Sequence, residues 1–161
     1  MVSADLLRNF ALFEGFSDGE LKRFADLAFE ESFKAGAQLW KKGDPANKLL
    51  LLLDGKALMT MDIDAGTYRP PVHVVVDIIT KGESLGWSAV VDPYLYTRAV
   101  RCLNDAKVIT FDGEKLRGML REDATLGYKF IYSIAKVIRD RLYHTEIILA
   151  GERGLAALEE A

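Results

Sequence analysis

The sequence is poor in the residues that build disulfides and metal sites. It has one cysteine, Cys102, and two histidines, His73 and His144. A single cysteine excludes an internal disulfide framework and a cysteine-based metal cluster. Two histidines alone cannot form a histidine-rich metal site. We therefore expect no metal ion and no resident cofactor.

Long apolar runs and a signal segment are also lacking. The longest apolar run is Leu49–Leu53, far shorter than the ~20 residues of a membrane-spanning helix. Near the N-terminus, Asp5, Arg8 and Glu14 interrupt the basic-then-apolar pattern that a signal peptide requires. The sequence predicts a cytoplasmic protein that does not bind a membrane.

An excess of positive charge is missing as well. The 161 residues carry a formal net charge of −3, and 50% of them are hydrophobic and 28% charged. These proportions are ordinary for a globular protein, and the length suits one domain. A dedicated nucleic-acid-binding protein is usually basic, so the charge balance argues against that class.

Motifs for catalysis do not stand out either. The sequence has no GxSxG string and no clear Ser-His-Asp arrangement. Asp62 and Asp64 would share one face of a strand, which is more typical of a solvated hairpin tip than of acid–base chemistry. A metal enzyme with a cupin-like roll would need clustered His and Glu ligands, and His73 and His144 are not clustered. We predict that the protein is not an enzyme.

Helical patterns open the chain, and strand patterns follow. Apolar residues recur at helical spacing over residues 3–30, where Ser17 and Glu20 have the form of a capping box. From residue 31 to 111, turn signals separate short apolar runs, and Asp54-Gly55 is the strongest hairpin signal. Such spacing predicts an antiparallel sandwich or roll. The predicted strands are Ala37–Lys41, Leu49–Leu53, Lys56–Asp62, His73–Ile79 and Val100–Phe111.

Helices are predicted again at the end of the chain. Ser84–Val91 reads as a short helix or ordered loop between strands, Lys115–Arg121 as a helix, and Leu126–Leu149 as a long helix with an apolar stripe. Gly151 is expected to end that helix. The prediction is one domain over residues 1–150 (3–30 helical, 31–111 the roll, 112–150 helical), with residues 151–161 as a tail.

The candidate binding site is the segment Gly82-Glu83-Ser84-Leu85-Gly86-Trp87-Ser88. Its glycines allow close approach of the backbone, and free N–H groups of a short helix starting near Ser84 could hold an anion. Glu83 could accept hydrogen bonds from vicinal hydroxyls, while Thr97 and Arg98 would add a hydroxyl and a positive charge. These residues predict a pocket for a small phosphorylated ligand with a sugar. The alternative interpretation is a tight corner of the roll.

Three groups of residues occur in the order of a known family. Gly36-Ala37-Gln38-Leu39 and Gly43-Asp44 precede Leu50–Ala57, Gly82–Gly86 follows, and Ala106–Phe111 leads into Asp112–Leu120 and the long final helix. This order resembles the cyclic nucleotide-binding domain of the catabolite activator and protein kinase A regulatory family. The resemblance implies a mainly β fold with flanking α-helices. Its core would be an eight-stranded antiparallel β-roll, a double-stranded β-helix or jelly roll, with N-terminal helices and a long C-terminal helix.

The resemblance also implies roles for single residues. In that family a glutamate binds the ribose 2′-hydroxyl and a later arginine binds the cyclic phosphate, so Glu83 inherits the first role. Counting back from Asp105–Val108 puts Tyr96 at the arginine position, with Thr97 next and Arg98 two residues further on. Either Arg98 reaches the phosphate from the same strand face, or the site has changed or lost its ligand.

The ligands that the resemblance implies are cAMP or cGMP. Trp87, Tyr94 and Tyr96 could instead form an aromatic wall that stacks on a ring, or simply pack in the core and at its rim. Tyr128 or Tyr132 of the final helix is expected to cap the ligand. Lys136, Arg139, Asp140 and Arg141 are expected on or near the solvent side of that helix.

The expected function is an effector-sensing regulatory domain that signals through its C-terminal helices to a partner protein not identified by the sequence. In transcription factors of the family, a helix-turn-helix domain follows the long helix. About ten residues follow Ala150 here, so direct DNA binding is not expected. A helix of this length predicts a homodimer through Leu126–Leu149. The alternative function is a ligand-free structural or interaction module that dimerises through the same helix.

Overall fold

The computed structural model describes residues 2–64, 66–67 and 69–159. Within these residues the chain forms four α-helices, two short 3₁₀ helices and eight strands. The helices are α1 (Ala4–Leu7), α2 (Asp18–Leu27), α3 (Gly113–Glu122) and α4 (Ala124–Glu159), with the 3₁₀ helices at Ala11–Phe13 and Trp87–Val90. The strands are β1 (Ala28–Phe33), β2 (Gln38–Trp40), β3 (Lys48–Asp54), β4 (Ala57–Ile63), β5 (Val72–Ile79), β6 (Ser84–Leu85), β7 (Ala99–Cys102) and β8 (Ala106–Asp112).

The strands form two four-stranded antiparallel sheets. One sheet has the strand order β1-β8-β3-β6, and the other has the order β2-β7-β4-β5. Strand β3 is buried on both of its faces over Leu49–Leu52, because helices cover the outside of its sheet. The second sheet contributes Ala57, Ile79 and Val100 to the same core. The predicted eight-stranded jelly roll with flanking helices is confirmed.

An aromatic cluster packs the N-terminal helices against α4. The Ser17–Glu20 capping box is confirmed, since the Ser17 N–H donates to Glu20 Oε2 at 2.7 Å and Ser17 Oγ accepts from the Glu20 N–H at 3.3 Å. The Phe24 ring of α2 lies 4.9 Å from the Phe13 ring and 5.1 Å from the Phe130 ring of α4. These contacts hold α2 and α4 against each other.

Two strand boundaries differ from the prediction because long-range pairing decides them. The helical segment predicted to reach residue 30 ends at Leu27, since Ala28–Phe33 pairs with β8 along its whole length. The run Val100–Phe111 is two strands that belong to different sheets. Ser84–Val91 contains the two-residue strand β6 followed by a 3₁₀ helix, so it is neither one helix nor a plain loop.

The Asp54-Gly55 turn is present, but the predicted hairpin is wrong. It joins β3 to β4, which lie in different sheets. Gly55 has φ +89°, and a Cβ at this position would lie 2.5 Å from the Asp105 carbonyl oxygen. The turn therefore carries the chain from one sheet to the other against the β7–β8 connection.

The last two helices begin at aspartate caps. Asp112 Oδ1 accepts from the Lys115 N–H at 3.0 Å, and Asp123 Oδ1 accepts from the Leu126 N–H at 3.0 Å. Helix α4 continues to Glu159, so Gly151 does not end it and the predicted tail is helical as far as it is described. A glycine inside a helix costs only about 1 kcal/mol relative to alanine, and good helix formers follow it. Residues 160 and 161 lie outside the described residues.

None of the described helices has both the length and the apolar composition needed to cross a membrane.

Candidate functional site

The turn between β5 and β6 is fixed to the core strand β3. Gly82 has φ +90°, and its N–H donates to the Leu52 carbonyl at 2.9 Å. The Glu83 carbonyl accepts from the Leu52 N–H at 2.9 Å. This double pairing places the Glu83 side chain at the edge of the roll.

The Glu83 carboxylate is partly occupied by its own turn. Its Oε2 accepts from the Thr80 N–H at 2.7 Å and from Thr80 Oγ1 at 2.8 Å. Its Oε1 accepts from Arg141 Nη2 of α4 at 3.2 Å. Oε1 is therefore the oxygen that a hydroxyl of a ligand would share with Arg141.

Arg141 joins the long helix to this turn. Besides Glu83, its Nη2 donates to the Ser84 carbonyl at 3.2 Å, and its Nε lies 3.4 Å from Asp77 Oδ2 of β5. The guanidinium lies 4.5 Å from the centre of the Trp87 ring, a cation–π contact. The side chain is 17% exposed, and Nη1 is buried without a hydrogen-bond partner. A buried guanidinium N–H without a protein acceptor is uncommon.

A cavity of about 280 Å³ lies beside this cluster. It is bounded by the first 3₁₀ helix, by the β5–β6 turn and by α4. Its lining consists of Phe10, Ala11, Leu12, Asp77, Gly82, Glu83, Ser84, Val137, Asp140, Arg141 and His144. Three carboxylates and one guanidinium are among these side chains, so the cavity is net acidic.

Beyond Ser84, the predicted segment Leu85–Ser88 does not line the cavity. Leu85 is fully buried in the core, and Ser84 Oγ accepts from the Trp87 indole N–H at 3.0 Å. Gly86 has φ +84°, and a Cβ there would lie 2.6 Å from the Lys48 carbonyl oxygen. Ser88 is half-buried in the second 3₁₀ helix. A glycine is needed at position 86 because the backbone of β3 passes so close to it.

Tyr96, Thr97 and Arg98 lie away from the cavity. Tyr96 is buried, and its hydroxyl donates to the Lys48 carbonyl at 2.8 Å and accepts from the Lys48 N–H at 3.1 Å. Burial raises the pKa of this hydroxyl, which keeps it protonated as a donor. Arg98 Nη1 donates to the Thr97 carbonyl at 2.8 Å. Neither Thr97 nor Arg98 lines the cavity, so the structure does not bring Arg98 together with Glu83.

Trp87, Tyr94 and Tyr96 were considered as one aromatic wall, but each ring contacts a different residue. Trp87 lies under Arg141, Tyr94 lies 4.4 Å from the Arg117 guanidinium, and Tyr96 stacks on Trp40. No shared stacking surface joins these three rings. On α4, Tyr128 and Tyr132 stack on each other, are largely exposed and do not line the cavity, so neither takes the expected capping position.

Two residues at the site were missed by the sequence analysis. Arg141 was expected on or near the solvent side, yet it continues the buried stripe Phe130, Ile134 and Val137 at helical spacing of four, three and four residues. That periodicity could have identified it. Asp77 lies in a run of β-branched residues, and no local signal distinguishes it.

The histidines form no metal site in the described part of the chain. His73 Nδ1 pairs with Asp62 Oδ1 on the second sheet, and His144 lines the cavity. Among the described residues, no group of three or more His, Cys, Asp or Glu side chains is placed to hold a metal ion. A larger groove of about 490 Å³ contains Lys41, Lys42 and Arg101 and none of the predicted site residues.

Comparisons with known proteins agree with this architecture. The family profile described as "cyclic nucleotide-binding domain" matches residues 30–123. No curated protein matches the sequence. A solved protein from Geobacter metallireducens GS-15, named for cyclic nucleotide binding, is 28% identical, with a TM-score of 0.75 and coverage of 88% of this chain and 99% of that one.

More distant structures share the fold. A cyclic nucleotide-binding domain from Methylobacillus flagellatus KT has a TM-score of 0.78 at 16% identity, covering 94% of this chain and 86% of that one. The catabolite activator protein of Thermus thermophilus has a TM-score of 0.66 at 15% identity, covering 86% of this chain and 62% of that one.

Proposed function

This chain belongs to the cyclic nucleotide-binding domain family, and on that premise we propose that it is an effector-sensing regulatory domain. Its ligand is a cyclic nucleotide, such as cAMP or cGMP, or a similar phosphorylated small molecule. The ligand binds between the Gly82–Ser84 turn and α4. The role is binding and not catalysis.

One observation carries this proposal: Glu83 and the partly unpaired Arg141 meet beside the cavity. A carboxylate accepts hydrogen bonds from the vicinal hydroxyls of a sugar. A guanidinium donates charge-assisted hydrogen bonds to a phosphate. The two groups that the family's ligand needs are therefore adjacent, although the cation comes from α4 and not from the segment around Tyr96.

The position of Arg141 supports signalling through the C-terminal helices. Arg141 is partly buried, and residues 142–154, which follow it on α4, are all exposed. A ligand that touches Arg141 contacts the helix at the point where it leaves the roll. If the ligand binds one helix position more tightly than another, it shifts the equilibrium between them.

Calorimetric titration tests the proposal. The purified chain, stripped of nucleotide, is titrated with cAMP, cGMP and cyclic di-GMP, and at least one is expected to bind with micromolar affinity, about −8 kcal/mol. Glu83→Ala and Arg141→Ala should each weaken binding at least about tenfold, because each removes a charged hydrogen-bonding group.

Arg98→Ala is the matched control, and it should leave the affinity unchanged because Arg98 does not line the cavity. If Arg98→Ala loses binding and Arg141→Ala binds as tightly as the wild type, the binding site lies elsewhere. Absence of binding by all three nucleotides would contradict the ligand class.

The exposed part of α4 supports a homodimer. Ile131, Ala135, Ile138, Leu142, Thr145 and Leu149 are exposed and recur at alternating intervals of four and three residues. This is the spacing of the seam of a coiled coil, in which a second copy of the same helix covers the stripe. The proposal therefore includes dimerisation within the Leu126–Leu149 stretch.

A second candidate function is a ligand-free structural module that dimerises through α4. It is favoured by Tyr96, which stands at the family's arginine position and is a core residue here. In this case Glu83→Ala would change neither titration heat nor oligomeric state. A sensor, in contrast, would lose affinity while keeping its fold.

A further inference from the structure

Asp77 and Arg141 form an ion pair in the lining of the cavity. Asp77 lies opposite Met59 in the β4–β5 register, and its Oδ2 faces Arg141 Nε at 3.4 Å. Its Oδ1 accepts from the Ile78 N–H at 2.9 Å, which fixes the carboxylate in place. The two side chains are 31% and 17% exposed, so water screens the pair only in part.

The charges around the cavity show why this ion pair matters for the binding of an anionic ligand. Arg141 is the one lysine or arginine among the described lining residues, and Asp77, Glu83 and Asp140 are the carboxylates. Asp140 has its own partner, since Arg139 Nε donates to its Oδ1 at 2.9 Å. An incoming phosphate would therefore meet a guanidinium that is already neutralised.

We propose that Asp77 is an internal substitute for the anionic group of the ligand, and that it sets the affinity of the site by competing for Arg141. This inference rests on the proposed function. The phosphate of the ligand replaces the Asp77 carboxylate at Arg141 Nε. The Trp87 ring and the Ser84 carbonyl keep the guanidinium in place during the exchange. Asp77 thereby excludes anions that bring too few other contacts.

The test compares Asp77→Asn, which removes the charge and keeps the shape, with Asp140→Asn. The second variant removes a carboxylate from the same cavity without touching a partner of Arg141, so it measures the effect of net charge alone. Affinity for cAMP and cGMP is measured by calorimetry in both variants and in the wild type. Asp77→Asn is expected to bind about tenfold more tightly than the wild type, and Asp140→Asn less than about threefold.

Inorganic phosphate is a second probe that does not depend on the nucleotide. The fluorescence of Trp87, identified as the signal lost in Trp87→Phe, reports the guanidinium stacked on it. Phosphate should perturb this signal at about tenfold lower concentration in Asp77→Asn than in the wild type, and not at all in Arg141→Ala.

The outcomes separate this inference from the proposed function. Tighter phosphate binding in Asp77→Asn without nucleotide binding in any variant supports the competition and contradicts the ligand class. Nucleotide binding that is equal or weaker in Asp77→Asn overturns the competition and leaves the proposed function standing. Equal gains in Asp77→Asn and Asp140→Asn, or no response to phosphate in any variant, also overturn it.

Discussion

Tyr96 lies flat on Trp40, with ring centroids 4.1 Å apart and an angle of 7° between the rings. The Tyr96 hydroxyl closes this contact by bonding both backbone groups of Lys48. Its own backbone pairs with Gly43 and Asp44. Tyr96 thus joins β2, β3 and the segment before β7, which is a structural role.

Tyr96→Phe is expected to destabilise the fold without affecting ligand affinity. It keeps the stacked ring but leaves the Lys48 backbone groups unsatisfied, which costs about 1–3 kcal/mol. Urea unfolding measures the loss, and nucleotide titration provides the second readout. An affinity loss as large as that of Arg141→Ala would contradict the structural role. Tyr96→Arg should destabilise more, because it buries an unpaired charge.

Gly86→Ala is expected to be much more damaging than Gly36→Ala. Both glycines have similar left-handed φ angles, +84° for Gly86 and +79° for Gly36. Of the two, only Gly86 has a near neighbour, because a Cβ there would lie 2.6 Å from the Lys48 carbonyl oxygen. Gly36→Ala should therefore cost about 1–2 kcal/mol from the backbone angle alone. Gly86→Ala adds the clash with β3 and should cost clearly more in urea unfolding. Equal losses would show that β3 yields to the methyl group.

Glu31 is expected to give the fold a pH dependence on the acid side. Burial, the largest influence, raises the pKa of this carboxyl, but the Lys48 ammonium at 2.9 Å and the Thr110 hydroxyl at 2.6 Å together lower its pKa below the ordinary value. A lowered folded-state pKa gives stability that is present above the unfolded pKa and is lost as the pH falls through the folded one.

The measurement is urea unfolding of the wild type and of Glu31→Gln from pH 7 down to pH 3. Glu31→Gln should be less stable by about 1–2 kcal/mol at neutral pH, and the difference should shrink below about pH 4. Glu146→Gln, on the exposed part of α4, serves as the control and should match the wild type. If the difference in unfolding free energy between the two proteins does not change with pH, the ionised Glu31 carboxylate is not the source of the stability.

Arg117 is expected to hold the segment before β7 against α3. Its Nη1 donates to the Ala89 carbonyl at 2.6 Å, and its guanidinium lies on the Tyr94 ring. Arg117→Ala should accelerate hydrogen exchange across residues 87–96, because both contacts are lost. Arg98→Ala provides the comparison, since its hydrogen bond is local. Unchanged exchange in Arg117→Ala would show that other contacts hold the segment, such as the hydrogen bond from the Ala46 N–H to the Tyr94 carbonyl at 2.7 Å.

The helical stripe predicts the oligomeric state. Ile138→Lys combined with Leu142→Lys should convert a dimer into a monomer, because it places charges in the seam of the coiled coil. Ile147→Lys is the control, since it changes an equally exposed apolar residue on another face of α4. Sedimentation equilibrium separates the outcomes, and a wild type that stays monomeric at high micromolar concentration would contradict the dimer.

Interactions between residues close in the chain made many elements of this fold predictable from the sequence. The Ser17–Glu20 cap, the turn at Asp54-Gly55, the apolar stripe of α4 and the order of the elements all follow from interactions between residues close in the chain. The same information placed Glu83 next to a turn at Lys81-Gly82. Two local predictions were wrong. At Ala28 the pairing with the distant strand β8 ends the helical segment, and at Gly151 the long helix α4 continues through the glycine.

The composition of the site was decided by the tertiary structure. Glu83 and Arg141 are 58 residues apart, and no local pattern shows that they meet. Their meeting depends on how α4 packs on the rest of the domain, to which the stacked rings of Phe24 on α2 and Phe130 on α4 contribute. The sequence thus determined the fold and one acidic residue of the candidate site, while the packing of α4 against the roll brought Arg141 to Glu83 and to Asp77 of β5.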